Sequence, residues 1–157
     1  MPFIEMYIPE GTVTEERKRR LHERVARQVL EVEGATYDES PKARAITWML
    51  IHEMPEGNFS VGSEPLSSGG DPRVLTRVVT PHGALDDERR AEVVRRVNQE
   101  VVDALGDEFA DPTKSICLVG ELTFSGGGIV VTFDDVMRWV GLDPETRKPL
   151  AVAGASG

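Results

Sequence analysis

The chain repeats itself. Pro9-Glu10-Gly11-Thr12-Val13-Thr14-Glu15-Glu16-Arg17 is echoed 72 residues later by Pro81-His82-Gly83-Ala84-Leu85-Asp86-Asp87-Glu88-Arg89. The match continues without a gap, setting Leu21 against Val93, Val25 against Val97, Val29 against Val101 and Gly34 against Gly106. A turn, a helix face and a helix stop kept together at one offset define a structural repeat, so the chain is expected to fold as two similar small units. Its 157 residues leave no room for a second large domain.

Each copy reads the same way. Phe3 to Ile8 and Val74 to Thr80 are short and rich in β-branched or aromatic residues, and each stops at a Pro-x-Gly turn, which predicts strands. Apolar positions at Leu21, Val25, Val29 and Val32, and at Val93, Val97, Val101 and Leu105, then recur at helical spacing. Thr12 or Thr14, and Asp86, are the candidate N-caps; Gly34 and Gly106 suit the left-handed position after a helix. Second strands follow at Ile46 to Ile51 and Ile116 to Val119, each running on to a glutamate, Glu53 or Glu121, and a glycine-containing hairpin. The offset there is 68, which places a four-residue insertion in the first copy.

A β-α-β unit has parallel strands and a right-handed crossover. Two of them predict an α+β fold with one four-stranded sheet and both helices on one face. The other face is then bare, and the consecutive apolar residues Trp48, Met49, Leu50 and Ile51 predict that it packs against other subunits. The expected organisation is a first unit over 1–68, a linker over 69–73, a second unit over 74–141 that ends in a short helix from Phe133 to Val140, and a flexible tail over 142–157.

Composition excludes several functions. Eighteen Lys and Arg against 27 Asp and Glu leave a formal charge of −9, which repels phosphate backbones and anionic lipid, so neither nucleic acid nor a membrane is an expected partner. The basic run Arg17-Lys18-Arg19-Arg20 sits among Glu15, Glu16 and Glu23 and reads as a solvated helix face with i,i+4 pairing. Cys117 is the only cysteine and the three histidines are scattered, so no internal disulfide and no metal site are expected. No apolar run reaches the roughly 20 residues of a membrane span and no secretory pattern opens the chain, which fits a cytoplasmic protein. Gly126-Gly127-Gly128 lacks the Lys-Ser/Thr of a phosphate loop and reads as a hairpin.

Pro2 is the candidate for chemistry, although Met-Pro is also a common start. Initiator methionine is normally removed before so small a residue, and the exposed proline is then a secondary amine with a reference pKa near 8, which an apolar pocket lowers toward neutrality. Such a group is a general base. Pro2 stands immediately before the first strand, where Phe3 and Ile4 anchor it.

Pro2, the strand after it, the Pro9-Glu10-Gly11 turn, the helix and Ile51-His52-Glu53-Met54-Pro55-Glu56-Gly57-Asn58-Phe59-Ser60-Val61-Gly62 together resemble the tautomerase superfamily, specifically its 4-oxalocrotonate tautomerase-like members. The resemblance is close over residues 2 to about 66, and residues 74 to 132 look like a second, diverged copy, as in double-length fused members. It implies a cofactor-independent keto–enol tautomerase, a homotrimer, in which Pro2 moves a proton of a small carbonyl or enol acid. Val74 replaces the proline in the second copy, so one active site per chain is implied. Phe59 matches the aromatic residue that walls the proline.

The departures bear on substrate. Members acting on dicarboxylates carry an arginine after the Glu-Gly turn and another early in the second strand, where this chain has Thr12 and Trp48. Trp48 then favours an apolar or aromatic substrate, and Arg73, Arg77 and Arg44 are the candidate replacement cations. His52, beside Glu53, is a further candidate for orienting substrate. Members that dehalogenate or hydrate 3-haloacrylates, or decarboxylate malonate semialdehyde, carry arginines in the loop that here reads Pro81-His82-Gly83-Ala84-Leu85. A hydratase, dehalogenase or decarboxylase of activated acids, a catalytically idle small-molecule-binding oligomer and a ferredoxin-like dimer remain the alternatives.

Overall fold

In β1 (Phe3–Pro9) the alternate residues Ile4, Met6 and Ile8 are wholly buried while Phe3, Glu5 and Tyr7 face the other way, the period-two pattern of a strand with one face on a core. The computed structural model describes residues 2–67 and 69–150 of the chain. After β1 come α1 (Glu15–Val32), a short α2 (Pro41–Ala45), β2 (Trp48–Met54) and a small hairpin of β3 (Ser60–Val61) and β4 (Glu64–Pro65). The second copy supplies β5 (Val74–Pro81), α3 (Asp87–Leu105), β6 (Ser115–Leu122), a hairpin of β7 (Phe124–Gly126) and β8 (Ile129–Val131), and α4 (Phe133–Trp139).

The main sheet has the order β2-β1-β5-β6. Each copy keeps its two strands parallel, and the copies meet at an antiparallel β1–β5 seam in which Phe3 lies opposite Val79, Glu5 opposite Arg77 and Tyr7 opposite Leu75. Both long helices cover one face. Leu21, Val25 and Val29 of α1 and Val93, Val97 and Val101 of α3 close a core with Ile4, Met6, Ile8, Val74 and Val78. Burying aliphatic side chains of this size stabilises by about 1.5–3 kcal/mol each before chain entropy is set against it.

The expected punctuation is present. Thr14 is the α1 cap, accepting from the Arg17 amide at 3.3 Å, while the Thr12 hydroxyl donates to the Pro9 carbonyl at 2.6 Å. Asp86 caps α3, accepting from the Arg89 amide at 2.7 Å. The repeat extends to ion pairs: Lys18 with Glu53 at 2.5 Å and Arg90 with Glu121 at 2.6 Å tie the start of each helix to the end of its copy's second strand. Where α1 crosses α3, Gln28 donates to Glu100, its mate 72 residues on, at 2.9 Å.

Of the expected flexible tail, 151–157 lie outside the described residues, and residues 142–150 lie along the fold, with Leu142 and Leu150 half-buried against the core. The reason is the end of α1, which has no basic residue in its last turn and whose final carbonyls need donors. Arg147 donates its Nε to the Glu33 carbonyl at 2.9 Å and also bonds the Ala84 carbonyl, with its guanidinium 4.5 Å above the Phe133 ring. Arg89 bonds the Val32 carbonyl and, at 2.9 Å, that of Lys148. Gly34 makes room for this strap: it has φ +97°, and a Cβ there would stand 2.9 Å from Arg147 Cγ.

The face without helices is open. By register it carries the rows Trp48–Phe3–Val79–Gly120, Leu50–Glu5–Arg77–Leu118 and His52–Tyr7–Leu75–Ile116. Trp48 is 65% exposed and Leu118 52% exposed within one chain. Among the described residues no helix is long and apolar enough to cross a membrane.

Candidate active site

Pro2 is buried at the head of β1, where its carbonyl accepts the Trp48 amide at 3.2 Å and so ties the start of β1 to the start of β2. It lines a cleft of about 540 Å³. Phe3, Ile46 and Trp48 form the wall contributed by the first copy. The antiparallel seam supplies the rest. Because Val79 lies opposite Phe3, β5 and the parallel β6 both finish at the Pro2 end, and Leu122, Phe124 and Ser125 of the segment leading into the β7–β8 hairpin close the far side. The cleft is therefore built by both repeats.

The structure brings Pro2, Trp48 and Arg77 together and sets the other candidates elsewhere. Arg77 lines the cleft and pairs through Nη1 with Glu5 Oε2 at 3.1 Å. His52 lies toward the opposite end of the sheet, stacked on Tyr7 at 4.6 Å with its Nε2 3.6 Å from Glu5 Oε1. Tyr7 donates its hydroxyl to the same Glu5 oxygen at 3.0 Å, and that bond raises the phenol pKa. Arg73 stands before β5, at the far end of the antiparallel seam, pairing with Asp71 at 2.7 Å; Asp71 also binds Lys114 at 2.6 Å. Phe59 follows the outgoing end of β2, about 20 Å along a seven-residue strand from the end that meets Pro2. Within one chain the aromatic residues lining the Pro2 cleft are Phe3, Trp48 and Phe124. Arg44 lines a separate groove with Arg19 and His22, its guanidinium 5.3 Å from the Tyr37 ring centroid.

Sequence reasoning missed Leu122, Phe124 and Ser125. The repeat alone does not reveal them: only once the two β-α-β units are seen to join through an antiparallel inner pair does the hairpin of one copy fall over the first residue of the other. Glu53 and Glu121 are structural, as their ion pairs show, and Glu121 also accepts the Leu85 amide at 3.0 Å. Cys117 sits in the core layer, where burial pushes its thiol up to about 12.

A tandem β-α-β protein with a mostly apolar cleft at the head of its first strand is the class that fold and site define. Residues 2–68 match the family described as "Tautomerase enzyme". Among solved structures, Pt0534 inactivated by 2-oxo-3-pentynoate is similar at 18% identity and TM-score 0.65, over 82% of this chain and 95% of that one. A fused 4-OT described as an asymmetric trimer gives the same identity and TM-score over 82% and 94%. A member of the cis-3-chloroacrylic acid dehalogenase family gives 12% identity and TM-score 0.63 over 82% of each chain. No curated protein matches the chain. Over residues 2–68 the chain is thus similar to the tautomerase family, and as a whole it has the fold of the fused 4-OT structures.

Proposed function

We propose that the protein is a cofactor-independent keto–enol tautomerase whose general base is the Pro2 amine, exposed by removal of Met1. The observation that carries this reading is the burial of Pro2 at a largely apolar cleft walled by Trp48 and Phe124. Apolar surroundings disfavour the ammonium form, which favours the neutral amine that can take a proton. The proton leaves the carbon next to a substrate carbonyl, or the hydroxyl of its enol, and Pro2 returns it to the other position. Arg77 supplies the charge that steadies the enolate or a carboxylate. Trp48 in place of an arginine suits a small carbonyl or enol acid with an apolar body.

A hydratase or dehalogenase is supported by the dehalogenase-family neighbour, but it needs an acid to activate water. Among the described residues lining the cleft none is acidic. We further propose that the open sheet face, apolar apart from Glu5, Arg77 and His52, joins copies into a homotrimer, and that the protein works in the cytoplasm. Fused relatives described as trimers support the assembly.

Intact mass, combined with tautomerisation of phenylenolpyruvate and 2-hydroxymuconate by wild type and Pro2→Ala, tests the reading. Loss of Met1 and a fall of roughly a hundredfold in the variant are expected for a lost general base. Retained Met1, or unchanged activity in Pro2→Ala, overturns the mechanism.

A further inference from the structure

The geometry points to Glu5 as a residue that sets ligand specificity in the Pro2 cleft, by compensating Arg77 so that the site takes an apolar ligand bearing at most one negative charge. The inference rests on the proposed use of the cleft for substrate. Arg77 is the single cation among the described residues lining the cleft. Its Nη1 is engaged by Glu5 Oε2 at 3.1 Å, and the Glu5 side chain is only 12% exposed. The carboxylate cannot readily swing away, because its other oxygen accepts the Tyr7 hydroxyl at 3.0 Å and lies 3.6 Å from His52 Nε2.

Two consequences follow from the charges. An anion approaching Arg77 meets the Glu5 carboxylate beside it, so the guanidinium attracts it far less than an unpaired one would. Arg77 keeps further N–H donors beyond the one given to Glu5, in the planar arrangement that a carboxylate accepts. A dicarboxylate needs a second cation, and the other lining residues, Phe3, Ile46, Trp48, Val79, Leu122 and Phe124 among them, reward apolar surface instead. Pairing therefore turns Arg77 from a strong anion clamp into an orienting group.

Calorimetric titration with phenylacetate and its uncharged analogue phenylacetamide tests this. Neither ligand has a keto or enol group to tautomerise, so binding is read apart from the basicity of Pro2, and a failure here is distinct from an unaffected Pro2→Ala. Glu5→Gln, which keeps size and an acceptor for Tyr7, is expected to tighten phenylacetate about fivefold, the upper range for a partly exposed ion pair. It should leave phenylacetamide unchanged, which also reports an intact cleft. Adding Arg77→Gln should abolish the gain. The proposal is overturned if Glu5→Gln leaves phenylacetate binding as in wild type, if both ligands shift together, if the gain survives without Arg77, or if wild type binds neither ligand.

Discussion

Glu5 and Arg77 are the same position of the repeat, 72 residues apart, and they meet at 3.1 Å across the antiparallel seam. A pair of identical copies would place like charges opposite each other there; the fused chain has diverged to opposite ones. Directly opposed like charges destabilise a sheet. Glu5→Arg alone is thus expected to lower the unfolding free energy of the single chain by about 1 kcal/mol, Arg77 being 47% exposed and the pair partly screened before copies associate. The exchanged double variant, Glu5→Arg with Arg77→Glu, should recover most of that loss in urea denaturation. A double variant no more stable than Glu5→Arg would show that the pairing contributes nothing.

Gly34→Ala should be strongly destabilising. The position combines φ +97° with the 2.9 Å approach of Arg147, so an added methyl meets both a strained backbone and the side chain that caps α1. A loss of about 2 kcal/mol is expected. Arg147→Ala, which removes the obstruction along with the cap, should make the added cost of Gly34→Ala smaller, and a thermal melt of the four proteins reads the coupling.

Acid stability should depend on Glu92. Its carboxylate lies 2.7 Å from Arg95 Nη2 and 2.6 Å from Arg96 Nε. The Arg95 bond, aided by Arg96 and opposed by burial, holds it down at about 2 against an ordinary 4.5. Ionised Glu92 therefore stabilises the fold throughout the range above pH 4.5, and that contribution is lost as the pH falls from 4.5 to about 2. In Glu92→Gln the stability should fall less steeply across this window; an unchanged slope would place the acid sensitivity elsewhere.

Cys117 should be inert while the protein is folded. With its thiol at about 12, almost no thiolate exists at pH 8. Iodoacetamide labelling should require denaturant, and rapid labelling of the native protein would contradict its place in the core.

Local pattern made the two copies legible: alternation at Ile4, Met6 and Ile8, helical spacing at Leu21, Val25 and Val29, and the cap at Asp86 each report which side of an element is buried. They say nothing of which strands meet across the seam. That pairing decides whether Phe59 or Phe124 stands by Pro2 and whether Glu5 finds Arg77. Arg147 was hidden for a related reason. Its role comes from carbonyls at Glu33 and Ala84, which are brought together only by tertiary packing, so the last described residues looked like a tail.

The aromatic wall offers the sharpest division between sequence position and spatial position. If Phe124 keeps water from the Pro2 amine, Phe124→Ala should let the amine drift back toward its reference value near 8. A base must be neutral to act, so the acid limb of the rate profile would move to higher pH and activity at pH 7 would fall. Phe59→Ala, about 20 Å away along the strand in the same chain, should leave that limb in place unless a neighbouring copy brings its Phe59 to the cleft. A pH–rate profile of kcat/KM for both variants decides between the two aromatics: a shifted limb in Phe124→Ala alone assigns the wall to the second repeat, and a shift in Phe59→Ala alone assigns it to the subunit interface.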